Sequence, residues 1–458
     1  MEQLLKRKRL STMQILALGF LGTILLGGAL LSLPICNQQP ISFVDALFTS
    51  TTAVCVTGLV TVVPATQFTL FGKVVLLILI QIGGLGIIAC MTGFFVILRK
   101  RITVRERVMI QETYNMQGIA GMREFVSRIL KSTFMMEGIG ALLYAFQFVP
   151  EYGLVRGIWY SVFHAISAFC NAGIDILGNG SFIKYVDNPI INFTTMFLIV
   201  MGGLGFPVWY DVMKNCKIVK EKKHSKKRMF TKLTLHSKIT ITMTGLMLVL
   251  GTVFVLLLEY GNPDTIGNLS LGEKMMSSAF HSVSTRTAGF ASVSQSALRP
   301  GTKFLSIIWM FIGGSPCGTA GGIKTTTVAM LILTCLNVLH GKRDTECFGR
   351  KIPVENFRTG FSVVMVAFGF LLSGMVLLTV LEPHQDFLDL MYEAVSAIGT
   401  VGLTADLTPN LGLASKFVIM CMMYIGRLGP VTIALVFGTR KSMKERTREL
   451  PEQRIMVG

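Results

Sequence analysis

The sequence predicts an all-α membrane protein in which four repeats of span, re-entrant pore loop and span surround one central pore. Three observations support this fold class. Hydrophobic residues make up 51% of the 458 positions and charged residues only 15%, so most of the surface is expected to face lipid. Eight apolar stretches are long enough to cross a bilayer, which requires about 20 helical residues. Finally, a short glycine-marked segment recurs four times.

The eight predicted spans are long apolar runs with few charges. They cover residues 14–33, 72–98, 129–149, 193–213, 239–259, 304–340, 358–381 and 415–437. The first is expected to be a retained span, because no small-residue cleavage site follows it. The predicted organisation places the repeats at 14–98, 128–213, 239–340 and 356–437, a basic cytoplasmic loop at 214–238 and a cytoplasmic tail at 438–458.

The formal charge of +18 is concentrated in alternate loops. Lysine and arginine cluster at residues 6–9, 99–107, 214–238, 342–358 and 440–454. The intervening loops carry almost none, so the positive-inside rule places all five runs and both termini in the cytoplasm. This alternation indicates a multi-pass protein of the cell membrane, with lipid and not nucleic acid as the surrounding partner.

The repeated segments end in a small residue, a glycine and usually an apolar residue. Their sequences are TAVCVTGL, SAFCNAGI, VSTRTAGF and SAIGTVGL, at residues 52–59, 167–174, 283–290 and 396–403. The marked glycines are 115, 116 and 113 residues apart, namely Gly58, Gly173, Gly289 and Gly402. The sequences before and after these four glycines also match one another, so chance does not explain the near-equal spacing.

Each marked glycine has a proline before it and a glycine cluster after it. Pro34, Pro150, Pro263 and Pro383 stand at the expected outer ends of spans, where a residue that cannot continue a helix is suitable. The later clusters lie in the next span, at 83–86, 202–205, 313–314 and 426–429. These second glycines serve either close helix packing or the pore, and the sequence leaves both open.

The segment between the two spans of a repeat is too short to cross the membrane. Residues 43–54 and 160–169 fit about three helical turns that end at the glycine pattern. Such a segment fits a re-entrant helix followed by extended backbone, which survives at membrane depth only against protein or water. Rings of backbone carbonyls replace the hydration shell of a monovalent cation, and glycine allows the backbone geometry that they require. The fourth repeat reads Thr400-Val401-Gly402, the start of the potassium-channel filter pattern.

These motifs resemble the superfamily of Trk, Ktr and HKT cation transporters, most closely the membrane subunit of bacterial Ktr potassium uptake systems. RTAGF in the third repeat and IGRLGP in the fourth carry the resemblance, which extends over essentially the whole chain. It implies one cation filter built by a single chain, with K+ as the bound and transported ion. The residues to which it assigns the filter are Val56, Thr57, Gly58, Asn171, Ala172, Gly173, Thr287, Ala288, Gly289, Thr400, Val401 and Gly402.

The resemblance also carries expectations about selectivity and partners. Glycine in the first loop, here Gly58, implies potassium, whereas relatives with serine there pass sodium. The second glycine of potassium channels is missing from all four loops, so fewer ion sites and looser selectivity are expected. A homodimer and a cytosolic nucleotide-binding regulatory ring of the RCK/KTN type are implied as well. No nucleotide site is expected on this chain, because its glycine clusters lie in apolar spans.

A glycine-rich break inside the sixth span is the candidate gate. Five glycines and a proline within ten residues cannot form a continuous helix in lipid, and the stretch resembles the family's intramembrane gating loop. Arg427 lies in the middle of the last span, where a charge is costly and faces the pore or a partner. The candidate gate residues are Gly313, Gly314, Ser315, Pro316, Gly318, Gly321, Gly322 and Arg427.

Other charges receive mainly structural assignments. Arg286 is expected to prop the third loop through an acidic partner, for which Glu137 is the candidate. Asp45 and Asp389 each stand 13 residues before a marked glycine, where an acid suits a pore-helix N-terminus. Asp175 and Asp406, just beyond the glycines, are the better candidates for attracting cations in an outer vestibule.

The functional prediction is a channel-like potassium uptake subunit. The alternative is a secondary carrier coupled to Na+ or H+, which usually needs ionisable residues along its path; Glu137 is the clear mid-span acid. Na+ therefore remains open as a coupling or activating ion. An enzyme is not expected, since the sequence offers no nucleophile–base pair, and the nine cysteines show no metal-ligand spacing.

Overall fold

The computed structural model describes residues 11–97, 107, 111, 122–178, 180–221, 227–429 and 432. Within them the regular secondary structure is almost entirely helical. The helices in chain order are α1 (Thr12–Leu31), α2 (Phe43–Cys55), α3 (Pro64–Gln67), α4 (Leu70–Leu85), α5 (Ile87–Ile97), α6 (Met122–Tyr152), α7 (Leu154–Phe169), α8 (Pro189–Gly203), α9 (Phe206–Glu221), α10 (Lys227–Lys232), α11 (Leu235–Glu259), α12 (Leu271–Ser284), α13 (Pro300–Phe311), α14 (Thr325–Leu339), α15 (Val354–Leu381), α16 (Phe387–Gly399) and α17 (Leu413–Leu428). Strands β1 (Glu346–Cys347) and β2 (Arg350–Lys351) form a short antiparallel hairpin.

One succession of elements occurs four times along the described chain: a long outer helix, a short pore helix and an inner helix. The outer helices α1, α6, α11 and α15 are each long and apolar enough to span a membrane. They expose large apolar side chains such as Phe146, Leu257 and Val380, about 70% accessible, as expected for a surface covered by lipid. Pro150, predicted to end its span, instead lies inside α6, two residues before the helix ends.

The pore helices α2, α7, α12 and α16 begin at defined caps and end at the glycine motif. Ser42 and Asp386 cap α2 and α16 through their side chains, and Ser270 forms a capping box with Glu273 at α12. Such caps satisfy the free amides of the first turn. α7 begins at Leu154, six residues earlier than expected from the sequence, after Gly153 with φ +79°.

All four inner helices are broken, whereas the sequence predicts a break in the third unit and continuous spans in the other three. α4, α8 and α17 end at glycines in the left-handed region: Gly86, Gly205 and Gly429 have φ of +84°, +86° and +88°. A side chain would strain this backbone, and a right-handed helix cannot pass through it. α8 and α9 consequently meet at 97°. In the third unit the corresponding break is a longer stretch, residues 312–324, between α13 and α14.

The predicted cytoplasmic loop 214–238 is largely helical where it is described, since it includes the end of α9, all of α10 and the start of α11. The predicted tail 438–458 and the basic runs 6–9 and 440–454 lie outside the described residues.

Candidate functional site

The four marked glycines close a ring. A Cβ built on Gly58 would lie 2.8 Å from the Ala172 carbonyl oxygen. A Cβ on Gly173 would lie 2.6 Å from the Ala288 oxygen, and one on Gly289 would lie 2.6 Å from the Val401 oxygen. A Cβ on Gly402 would overlap the Thr57 carbonyl oxygen. The fourth unit therefore contacts the first. The four units therefore meet around one axis in chain order, at a spacing that admits no side chain.

The backbone of the four glycine segments (56–58, 171–173, 287–289 and 400–402) follows one pattern. The first residue of each segment has a positive φ, namely Val56 (55°), Asn171 (60°), Thr287 (64°) and Thr400 (51°). The third is glycine, also with positive φ: Gly58 (106°), Gly173 (63°), Gly289 (77°) and Gly402 (95°). A non-glycine residue rarely adopts this region and usually does so at functional sites. The pattern shows that the four segments share a conformation despite different side chains.

Hydrogen bonds hold each glycine segment to its own pore helix through the N–H of the second residue. These bonds run from Thr57, Ala172, Ala288 and Val401 to the carbonyls of Thr52, Ser167, Ser284 and Ser396, over 2.8–3.0 Å. Among the described residues, the carbonyls of the first two residues in each segment accept no hydrogen bond. The buried hydroxyls of Thr57, Thr287 and Thr400 also lack partners there. Unpaired oxygens at membrane depth suit a dehydrated cation.

The 312–324 loop lies directly against the ring on its inner side. A Cβ on Gly321 would overlap the Thr400 hydroxyl, and one on Gly322 would lie 3.2 Å from the Gly399 carbonyl oxygen. The loop is held to the second unit: Ser315 N donates to Gly203 O at 2.9 Å and Thr319 N to Gly202 O at 3.1 Å. Phe206 N in turn donates to Cys317 O at 3.1 Å. The candidate gate residues 313–322 therefore stand next to the glycine segments.

Arg427 connects this loop to the first unit. Its guanidinium donates to the carbonyl of Thr319 at 2.5 Å, to that of Gly84 at 3.3 Å and to that of Gly83. Arg427 and Lys324 both line a cavity of about 260 Å³ beneath the loop. The Lys324 ammonium donates to Ala320 O at 2.9 Å. The side chains of Arg427 and Lys324 donate to backbone oxygens and not to carboxylates. Their positive charges therefore disfavour a transported cation in this cavity.

The expected pairing of Arg286 with Glu137 is wrong. Glu137 accepts a hydrogen bond from Gln81 Nε2 at 3.0 Å, because its position on α6 directs it towards α4. Arg286 lies behind the third glycine segment, beside Val283 and Gly314, and its buried Nε has no partner in the described structure. Helix rotation, which the sequence does not reveal, separates the two side chains.

Asp45 and Asp389 lie in the first turns of pore helices, but neither is the capping residue. Instead, Asp45 accepts from Lys416 at 2.8 Å and Asp389 from Lys303 at 2.6 Å. Asp175, in the loop between α7 and α8, accepts from Leu177 N at 3.2 Å. Asp406 is exposed and accepts from the Ser296 hydroxyl at 2.6 Å. Attraction of cations by Asp406 and Asp175 stays a prediction.

Sequence reasoning missed several residues. A Cβ on Gly83, Gly202 or Gly426 would overlap the carbonyl four residues before the marked glycine of the same unit. Close helix packing thus applies to the first glycine of each of these clusters, whereas the last glycine lies where the inner helix breaks; a role of these glycines in the pore stays a prediction. Lys324 was also missed, although it stands only two residues after the glycine-rich stretch. Glu393 was hidden in an apolar helix, where it accepts from Ala405 N at 3.1 Å and from the Thr408 hydroxyl at 2.8 Å.

Comparisons with known proteins agree on one family. The sequence profile of the TrkH family, described as cation transport protein, matches residues 14–445. The chain is 38% identical to Ktr system potassium uptake protein B of Bacillus subtilis (strain 168), covering 100% of this chain and 99% of that protein. It is 37% identical to the potassium/sodium uptake protein NtpJ of Enterococcus hirae, over 99% and 98% of the two chains. The crystal structure of the potassium transporter TrkH from Vibrio parahaemolyticus has a TM-score of 0.73 at 18% identity, covering 94% of this chain and 86% of that one, and so shares the fold.

Proposed function

The chain belongs to the TrkH family of cation transport proteins, and from that premise we propose that it conducts potassium ions through the ring of glycine segments. The family consists of potassium uptake transporters, so the chain is a transporter and not an enzyme. The observation that carries the proposal is the closed contact of Gly58, Gly173, Gly289 and Gly402. Carbonyl oxygens of the residues beside these glycines would replace the water shell of the ion.

The absence of charged side chains from the ring supports loose binding of a monovalent cation. The segments contain no charged side chain, so binding would rely on carbonyl dipoles and on the C-terminal ends of four pore helices, which favour cations. A site without net charge lets the ion leave again, as conduction requires. The names of the relatives cited above include potassium and, for one, sodium; we propose potassium as the main substrate and sodium as a second ion.

The gate in this proposal is the 312–324 loop together with Arg427. The loop touches Thr400 and Gly399 on the inner side of the ring, and Arg427 holds its Thr319 carbonyl. Conduction then requires the 312–324 loop to move. It also requires the cavity lined by Arg427 and Lys324 to open or the positive charge of these residues to be neutralised. A regulatory partner on the cytoplasmic side, of the RCK/KTN nucleotide-binding type, and a homodimer are proposed from the same family relationship, with both termini in the cytoplasm.

Replacement of Gly58 by serine tests the filter in cells that lack their own potassium uptake. The new side chain would begin 2.8 Å from the Ala172 oxygen, on backbone with φ +106°, so we expect weaker uptake and a lower preference for potassium over sodium. Gly245→Ser in α11 is the matched control, because a Cβ there meets nothing within 4 Å. Unchanged uptake and ion preference in Gly58→Ser would contradict the filter.

An ion-coupled carrier is the alternative mechanism. Glu137 is bonded to Gln81 and does not line the inner cavity, which favours passive conduction. Purified protein in vesicles distinguishes the two: potassium flux down its own gradient, with no sodium or proton gradient, supports a channel. Flux that requires one of those gradients supports the carrier.

A further inference from the structure

A groove at the bend between α8 and α9 has no role in the proposed transport mechanism. It lies between α6 and α9 and encloses about 520 Å³. Its floor is apolar and includes Ile129, Phe206 and Trp209, whereas Arg128, Lys131 and Lys214 stand along its edge. We refer to it below as the α6–α9 groove.

The groove lies at the depth of the cytoplasmic lipid headgroups. α8 ends at Gly203, and α9 turns away from it by 97°, so a helix that leaves a membrane-spanning segment at this angle runs along the membrane surface. The basic run 214–238 begins on α9, which places this surface on the cytoplasmic side. Trp209 lines the groove, and the neighbouring Tyr210 is 43% exposed; tryptophan and tyrosine are enriched at this interface.

The edge of the groove carries surplus positive charge. Arg128 donates to the Tyr210 hydroxyl at 2.5 Å and forms an exposed pair with Glu124 at 3.2 Å. Lys131 and Lys214 form no ion pair within the described part of the chain. Lys214 lies within electrostatic range of Asp211 on the same helix, and Lys131 adds a positive charge on the opposite side of the groove. This basic edge beside an apolar cleft matches a molecule with an anionic head and a hydrocarbon tail.

We propose that the α6–α9 groove binds one anionic phospholipid of the cytoplasmic leaflet. Arg128, Lys131 and Lys214 hold its phosphate, and an acyl chain lies along Ile129, Phe206 and Trp209. Basic pockets between helices on the cytoplasmic side are suited to such headgroups. Phe206 also donates its N–H to the Cys317 carbonyl in the 312–324 loop. A lipid bound against Phe206 therefore restricts the movement of this residue and, through its hydrogen bond, of the 312–324 loop.

Fluorescence of Trp209 tests the proposal. The chain contains three tryptophans, so Trp159→Phe with Trp309→Phe leaves Trp209 as the reporter. The full-length variant is placed in phosphatidylcholine bilayers that contain equal fractions of either brominated phosphatidylglycerol or brominated phosphatidylcholine. We expect stronger quenching by the anionic lipid, and about fivefold weaker lipid affinity for each cation replaced by glutamine.

The matched control replaces three basic residues of the β-hairpin region, Lys342, Arg350 and Lys351, by glutamine. This variant should keep the preference for phosphatidylglycerol, whereas Arg128→Gln with Lys131→Gln and Lys214→Gln should lose it. Equal quenching by the two lipids overturns the proposal, as does a preference that survives in the groove variant. Absence of quenching by either lipid also overturns it and indicates that the groove is closed to lipid.

Native mass spectrometry provides a second measurement on the chain with all three tryptophans. Protein released from bilayers containing phosphatidylglycerol should retain one more copy of this lipid than the groove variant does. Equal retention by the two proteins contradicts the proposal, independently of any transport measurement.

Discussion

Lys303 on α13 and Asp389 on α16 form an ion pair of 2.6 Å between the third and fourth units. Lys416 and Asp45 form the equivalent pair of 2.8 Å between the fourth and first units. Each lysine stands 14 residues after its own marked glycine, and each aspartate 13 residues before the glycine of the next unit. The pairs thus tie the start of a pore helix to the inner helix of the preceding unit and help to close the ring.

Breaking the first of these pairs should destabilise the protein. Asp389→Asn leaves the ammonium of Lys303 in a site where it is only 10% exposed, whereas Asp389 is 23% exposed. The cost should therefore lie between about 0.5 kcal/mol, as for an exposed pair, and about 3–5 kcal/mol, as for a fully buried one. We expect a clearly lower thermal unfolding temperature in detergent. Glu346→Gln, which breaks the exposed pair with Lys342, is the control and should change stability by about 0.5 kcal/mol or less. Equal effects of the two variants would contradict the structural role.

Removing the charge of Arg427 should increase cation flux. For an illustrative separation of about 12 Å and an effective dielectric constant of about 20, a unit positive charge opposes a monovalent cation by about 1.4 kcal/mol, or roughly tenfold in rate. Arg427→Gln also weakens the hold on the Thr319 carbonyl. Potassium uptake by vesicles containing the purified chain should rise by about tenfold, whereas Lys342→Gln at the exposed surface should have no effect. Unchanged uptake would exclude Arg427 from the gate.

An alanine at Gly202 should disturb the contact between inner helix and pore helix. The added Cβ would overlap the Phe169 carbonyl oxygen, and overpacking of this kind costs about 1–3 kcal/mol. Gly138→Ala on α6 is the control, because its Cβ meets nothing within 4 Å and alanine favours a helix by about 1 kcal/mol. The thermal unfolding temperature should therefore fall in Gly202→Ala and rise in Gly138→Ala. A shift in the same direction in both variants would contradict the packing role of Gly202.

Potassium uptake should depend on external pH through Asp175. Burial raises the pKa of this carboxyl, in the loop between α7 and α8 outside the spans, to about 6. The group is charged and attracts cations above that pH, and it becomes neutral as the pH falls below it. The apparent affinity for potassium should therefore weaken as external pH falls from 7 to 5. Asp175→Asn should abolish this dependence and Asp187→Asn should retain it, as measured by uptake in whole cells.

Much of the fold could be predicted because its signals are local. Apolar runs identified the four outer helices, and the repeated glycines marked turns of the backbone because a positive φ has few substitutes for glycine. Their assignment to a cation filter stays a prediction. The break at 313–322 followed from the same reasoning. The breaks at Gly86, Gly205 and Gly429 were not predicted, since small residues clustered in an apolar run also fit close packing of an uninterrupted span.

The sequence by itself determined the membrane class, the fourfold repeat and the break at 313–322, because these depend on composition and on neighbours along the chain. Only the tertiary structure decided which atoms meet. The cyclic contact from Gly58 to Gly402, the pairing of Lys303 with Asp389 and the partner of Glu137 join residues between 56 and 344 positions apart. Such contacts depend on how helices rotate and pack against one another, and no local pattern of residues encodes that rotation.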